Sequence, residues 1–158
     1  MELEFILDTD RPALLAMDPP ELAEKARAIV AGLGYKVHVA RDHDEFNHRF
    51  GAVQYELLIL TDTFDSASPE ANPALRQLQE MPMTRRRHTT ILLIGDTCQT
   101  LSPMQAFQHS VHAVINRAEL ALMGADALGP IVQRVAQESA QVLRVFRDIQ
   151  QRIAQGRN

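Results

Sequence analysis

Two aspartates that follow apolar runs, Asp18 and Asp62, are the residues in this chain best suited to chemistry. At the carboxyl edge of an open α/β sheet, where such sheets bind ligands, the two carboxylates could hold a divalent metal between them. The plainer reading makes Asp18 a helix cap and Asp62 a turn residue, and it outweighs the metal reading. His43 and His48 flank two acids in RDHDEFNH, and His109-x-x-His112 has helical spacing. Neither set has a recognisable supporting shell, so packing or solvation is the expected role. Arg85-Arg86-Arg87-His88 reads as a solvated basic loop in a chain of net charge −4. Cys98 has no paired histidine and is expected to be a small, half-buried residue rather than a nucleophile.

The chain of 158 residues is long enough for one domain with a proper core. With 46% hydrophobic and 23% charged residues, disorder is excluded. The acidic balance gives no case for nucleic acid or an anionic membrane surface as partner. A single cysteine rules out a disulfide framework and a multi-cysteine zinc site. No apolar run reaches the roughly 20 residues that span a bilayer, and MELEFILDTD does not read as a signal peptide. The expectation is a cytoplasmic protein.

Five short apolar runs must position the chemistry: Ala13–Met17, Lys36–Ala40, Leu57–Leu60, Thr90–Ile94 and His112–Ile115. Most are continuous rather than alternating, as in strands buried on both faces of a parallel sheet. Helical signals lie between them, so the expected class is α/β with a layered sheet. The first helix is the clearest. Asp18 is placed to cap it, Pro19 and Pro20 suit its first turn, and Leu22, Ala26, Ile29, Val30 and Leu33 form one stripe that stops at Gly34. A short helix is expected near Asp44–Phe50, with Phe46 and Phe50 on one face. Thr61–Pro73 is irregular and turn-rich, a helix follows near Ala74–Glu80, and Ser102-Pro103 opens another carrying Met104 and Phe107.

From about Pro130 to Gln155 nothing breaks a helix, a span of roughly 39 Å at 1.5 Å per residue. Its apolar stripe is close to heptad spacing, interrupted at Glu138 and Ser139. A helix that only covers a sheet needs about half that length, so the outer half calls for a partner helix. The organisation expected is an extension or linker strand over 1–11, a domain over 12–129, and a long helix over 130–158 that projects beyond it.

The segment ALLAMDPPELAEKARAIVAGLGYKVHVARD, with YELLIL and TTILLIGD further on, resembles the receiver domain of two-component response regulators over roughly Pro12 to Val145. The resemblance implies a doubly wound, five-stranded parallel sheet in the order 2-1-3-4-5, flanked by five helices. It also implies an aspartate at the end of the third strand that accepts a phosphoryl group from a histidine kinase. Acidic residues after the first strand would hold Mg²⁺, and a Thr or Ser after the fourth strand and a Lys after the fifth would bind the phosphoryl oxygens.

Carried over residue by residue, these positions are altered. Met17 stands at the first acidic position and Asp18 at the second. The acceptor position, six residues past Tyr55, falls on Thr61, and a bulge would be needed to bring in Asp62. The hydroxyl position is Gly95 and the lysine position Arg117, or its neighbour Asn116 in the other register. The resemblance is therefore to a degenerate pseudo-receiver. It implies a non-enzymatic signalling module acting through protein contacts, with no resident cofactor, and Mg²⁺ only if the acidic site is active. A histidine kinase is among the candidate partners. The long helix implies a homodimer built on Val135, Val142, Phe146, Ile149 and Ile153. Two alternatives stand beside this: a phosphoryl-accepting regulator using Asp62, Asp18 and Mg²⁺, and a small-ligand sensor using a pocket widened by Gly95.

Overall fold

The computed structural model describes residues 10–65 and 71–156, and of residues 140–148 and 150 the backbone alone. Of the extension expected over 1–11, residues 1–9 lie outside the described residues. In chain order the elements are β1 (Pro12–Ala16), α1 (Pro20–Gly32), β2 (Lys36–Val39), α2 (His43–Ala52), β3 (Leu57–Thr61), α3 (Pro73–Gln79), α4 (Met83–Arg86), β4 (Thr90–Gly95), α5 (Pro103–His109), β5 (Ala113–Asn116), α6 (Arg117–Met123), a 3-10 turn (Ala125–Ala127) and α7 (Leu128–Ala154).

The strands form one parallel sheet ordered β2-β1-β3-β4-β5, as expected. Side chains alternate across it, which is why continuous apolar runs were required. Leu14, Leu58, Leu60, Ile91, Leu93 and Val114 meet Phe46, Phe50, Leu75 and Leu78 from α2 and α3 on one face. Ala13, Leu15, Leu57, Ile59, Leu92, Ile94 and Ile115 meet Ala26 and Val30 of α1 and Leu128, Val132 and Val135 of α7 on the other.

Local chemistry sets the ends. Gly34 takes φ +98° just past α1, as a helix-terminating glycine should. Asp42 caps α2 by accepting from the Glu45 N–H at 2.8 Å, and Phe46 and Phe50 stack at 5.4 Å. Ser102 caps α5 as read, accepting from the Gln105 N–H at 3.3 Å. Met104 and Phe107 do not enter the core: both are exposed, Phe107 to 83%.

Four expectations change. Asp18 does not cap α1, because Pro19 holds that position without a side-chain hydrogen bond. Two short helices, α4 and α6, are added to the five expected. The last helix starts at Leu128, two residues earlier than read, with Pro130 in its first turn where a missing N–H costs nothing. Val135 is 5% exposed and packs in the chain's own core, so it cannot serve a dimer seam. Ile149 and Ile153 are 49% and 71% exposed, as an outer seam requires. The side chains of Val142 and Phe146 lie outside the described residues.

Candidate functional site

The carboxyl edge of the sheet gathers the ends of β1, β3, β4 and β5. Thr61 is the last residue of β3, paired with Ile94. The pleat turns its side chain to the α1 face, where the hydroxyl accepts the Asp18 N–H at 3.0 Å. Extending the ladder one residue sets Asp62 beside Gly95 on the opposite face. The Asp62 N–H still donates to the Ile94 carbonyl at 2.9 Å, at the first residue of the turn that follows β3.

The Asp62 carboxylate is the buried charge of this edge, 5% exposed. Arg117, the first residue of α6, donates from Nη2 to Asp62 Oδ1 at 3.1 Å and to the Thr63 hydroxyl at 3.0 Å. Its Nε lies 3.3 Å from Asp96 Oδ1, which forms an outer, solvated arm of the cluster. Burial raises the Asp62 carboxyl above its ordinary value; Arg117 draws it down and Asp96 pushes it up again. The room for this carboxylate comes from Gly95. A Cβ at that position would stand 2.6 Å from Asp62 Oδ2 and 3.0 Å from Cys98 Sγ. Gly95 therefore does not widen a ligand pocket, because Asp62 fills the space.

Two residues not singled out by sequence, Asn72 and Asp65, hold the site together with Asn116. Asn72, 1% exposed, donates to the carbonyls of Asp62 at 2.9 Å and Thr61 at 3.3 Å. Its own side-chain oxygen accepts the N–H groups of Ala74 and Leu75, capping α3. The Asn-Pro pair opening a helix was a readable signal. Asn116 donates to the Cys98 carbonyl at 2.8 Å and caps α6 at Glu119, tying the loop after β4 to the end of β5. Asp65, at φ +46°, links two loops: its N–H donates to Asp18 Oδ2, and its own Oδ2 accepts the His43 N–H, each at 3.2 Å.

These bonds direct the two candidate metal ligands apart. Asp18 accepts from Asp65, and Asp62 faces a guanidinium cation. Met17, at the first acidic position, is packed in the core beside α1. Mg²⁺ needs about six oxygens in near-octahedral geometry, and this donor set does not suit it as arranged. Among the described residues no cluster of three or more His, Cys, Asp or Glu is placed to hold a metal.

The remaining candidates are structural. His112 Nδ1 accepts the Ile91 N–H at 2.9 Å at the start of β5. Burial lowers its pKa, and the Arg86 charge lowers it further, so the ring stays neutral as an acceptor must. His48 is exposed, and the His43 ring packs edge-on to Phe64 at 5.3 Å. The basic turn is not a solvated loop. Arg85 donates to the Phe50 carbonyl in the last turn of α2 at 2.6 Å, and Arg86 to that of Leu78 in α3 at 3.4 Å. Cys98 is fully buried rather than half-buried, and burial, with Asp62 and Asp96 nearby, pushes its thiol pKa up.

The order of elements, the 2-1-3-4-5 sheet and the clustering at its carboxyl edge define the receiver fold of response regulators. Solved structures agree. NtrX from Brucella abortus superimposes with a TM-score of 0.67 at 16% identity, over 92% of this chain. The chain spans 30% of NtrX. The signal receiver domain of a putative LuxO repressor protein from Vibrio parahaemolyticus gives 0.64 at 15% identity, over 86% of this chain and 97% of its own. The chemotaxis response regulator CheY4 of Vibrio cholerae gives 0.63 at 13%, over 80% and 99%. At such identities the likeness establishes the fold. No protein-family model matches the chain, and no curated protein does. Among the described residues no helix is long and apolar enough to cross a membrane.

Proposed function

We propose that this chain is a signalling module that uses the receiver fold to bind proteins, without catalysis and without phosphorylation of Asp62. The observation that carries this reading is the Asp62–Arg117 pair. A phosphoryl-accepting carboxylate must be reached by its donor and share Mg²⁺ with neighbouring acidic residues. Here that carboxylate is buried, neutralised by a guanidinium and fitted into the space at Gly95. Asp18, the other candidate ligand, is engaged by the Asp65 N–H instead of facing Asp62.

Protein contacts then fall to the surfaces the core leaves over. Phe107 and Met104 on α5, and Leu122 and Met123 on α6, are exposed apolar side chains near β5. The outer half of α7 is the second such surface, and a second copy of the chain is its proposed partner.

Intact-mass measurement after incubation with acetyl phosphate and Mg²⁺, beside the Asp62→Asn variant, tests the reading. The expected result is no added mass in either protein. A gain of one phosphoryl group that disappears in Asp62→Asn would replace this reading with a phosphoryl-accepting regulator, to which a histidine kinase would be the natural donor.

A further inference from the structure

The stripe that α7 buries against α1 does not end with the domain. Along the sequence it recurs at Val132, Val135, Ser139, Val142, Phe146, Ile149 and Ile153, in alternating steps of three and four. This is the spacing of a coiled-coil seam. Its first two members are buried in the chain's own core, and its last two are exposed. A helical extension of about 15 residues is marginal in water by itself. The same spacing that packs within the chain thus continues along the sequence to Ile149 and Ile153, which the described part of the chain leaves exposed.

The positions flanking the seam decide between orientations. Glu138, Val145 and Arg152 lie one residue before the seam positions 139, 146 and 153. Ala136, Leu143 and Gln150 lie one residue after 135, 142 and 149. In a parallel, in-register pair, Glu138 would flank Leu143 of the second copy, and Val145 would flank Gln150. Both contacts set a polar group against an apolar one. In an antiparallel pair centred on Arg144, the seam matches Val142 with Phe146 and Ser139 with Ile149. The flanks then match Leu143 with Leu143, Val145 with Val145 and, twice by symmetry, Glu138 with Arg152. Apart from Ser139 against Ile149, like meets like, and the opposite charges of Glu138 and Arg152 meet twice. Glu138 at present pairs along its own helix with Arg134 at 3.2 Å, both largely exposed, a contact weak enough to exchange.

We infer that the outer half of α7 pairs antiparallel with the same segment of a second copy, over roughly residues 138–152, placing the two sheet domains at opposite ends of a two-helix stem. The inference rests on the dimeric role proposed above for α7 and is independent of the chemistry at Asp62.

The test uses the full chain with Cys98→Ala, so that introduced thiols are the reactive ones. Under mild oxidation, Ser139→Cys and Ile149→Cys proteins should cross-link when mixed and not when alone. Efficient self-cross-linking of Ile149→Cys would indicate a parallel pair and overturn the arrangement while leaving the dimer. In sedimentation velocity, Glu138→Arg and Arg152→Glu should each weaken the dimer about tenfold, roughly 1.4 kcal/mol. The double variant should restore it, and a failure of restoration would also count against the antiparallel pairing. A wild-type chain that stays monomeric at tens of micromolar would overturn the dimer itself. None of these outcomes alters the mass measurement at Asp62, so the two readings fail separately.

Discussion

Adding one methyl group at position 95 tests the packing of the buried carboxylate. The Cβ of Gly95→Ala would lie 2.6 Å from Asp62 Oδ2. The Asp62 backbone cannot retreat, because its N–H is bonded to Ile94 and its carbonyl to Asn72. The carboxylate must turn, and turning breaks the 3.1 Å contact to Arg117. Overpacking of this kind costs about 1–3 kcal/mol, and a buried charged group left without its partner costs a similar amount. Replacing a strand glycine by alanine returns about 0.5–1 kcal/mol. The expected net loss is about 2–3 kcal/mol, or roughly 5–10 °C in Tm for a domain of this size. In an Asp62→Ala background the same methyl group should be neutral or mildly stabilising. The Cys98 contact at 3.0 Å is present in both backgrounds and cancels from the cycle. Urea unfolding followed by far-UV circular dichroism suits a chain with no tryptophan. A cost of Gly95→Ala that is equal in both backgrounds would refute the coupling and, with it, the account of why glycine stands there.

Two further predictions follow from the same geometry. Asn72→Ala removes the cap of α3 and leaves two site carbonyls without their donor, so it should cost about 2–3 kcal/mol in the same assay; a loss below about 0.5 kcal/mol would contradict the bonding described. His112 is held neutral, with a folded-state pKa below its ordinary 6.5, so its contribution is present above pH 6.5 and fades as pH falls through the folded value. Wild type should therefore lose more unfolding free energy between pH 7.5 and 5.5 than His112→Gln does, and identical losses would remove the acceptor role.

The sheet was legible because parallel strands buried on both faces must be continuous apolar runs, and the runs at Leu57–Leu60 and Thr90–Ile94 are hard to read otherwise. Even the end of β3 at Thr61 could be counted from Tyr55. What the count could not supply was the direction of the next side chain. Asp62 does open the turn after β3, but nothing local shows that its carboxylate is buried, and Gly95 looked like an enlargement because its neighbour across the sheet is remote in sequence. Both facts are tertiary. The arginines of the basic turn were misread for a related reason: charge pattern does not reveal that a guanidinium reaches back to a carbonyl 35 residues earlier. Asn72 was within reach, since an asparagine before a proline at a helix start has a known meaning, but its second role toward the Thr61 and Asp62 carbonyls was not.

The contact between positions 62 and 95 also constrains the order in which sequences near this one can change. A β-branched hydroxyl residue cannot enter at 95 while the aspartate remains, and a smaller residue at 62 leaves Arg117 with only the Thr63 hydroxyl and the solvated Asp96. A change at 95 made first passes through a strained intermediate, whereas a change at 62 made first opens the space that a Cβ at 95 needs. Homologues that carry an aspartate at 62 should therefore carry glycine at 95.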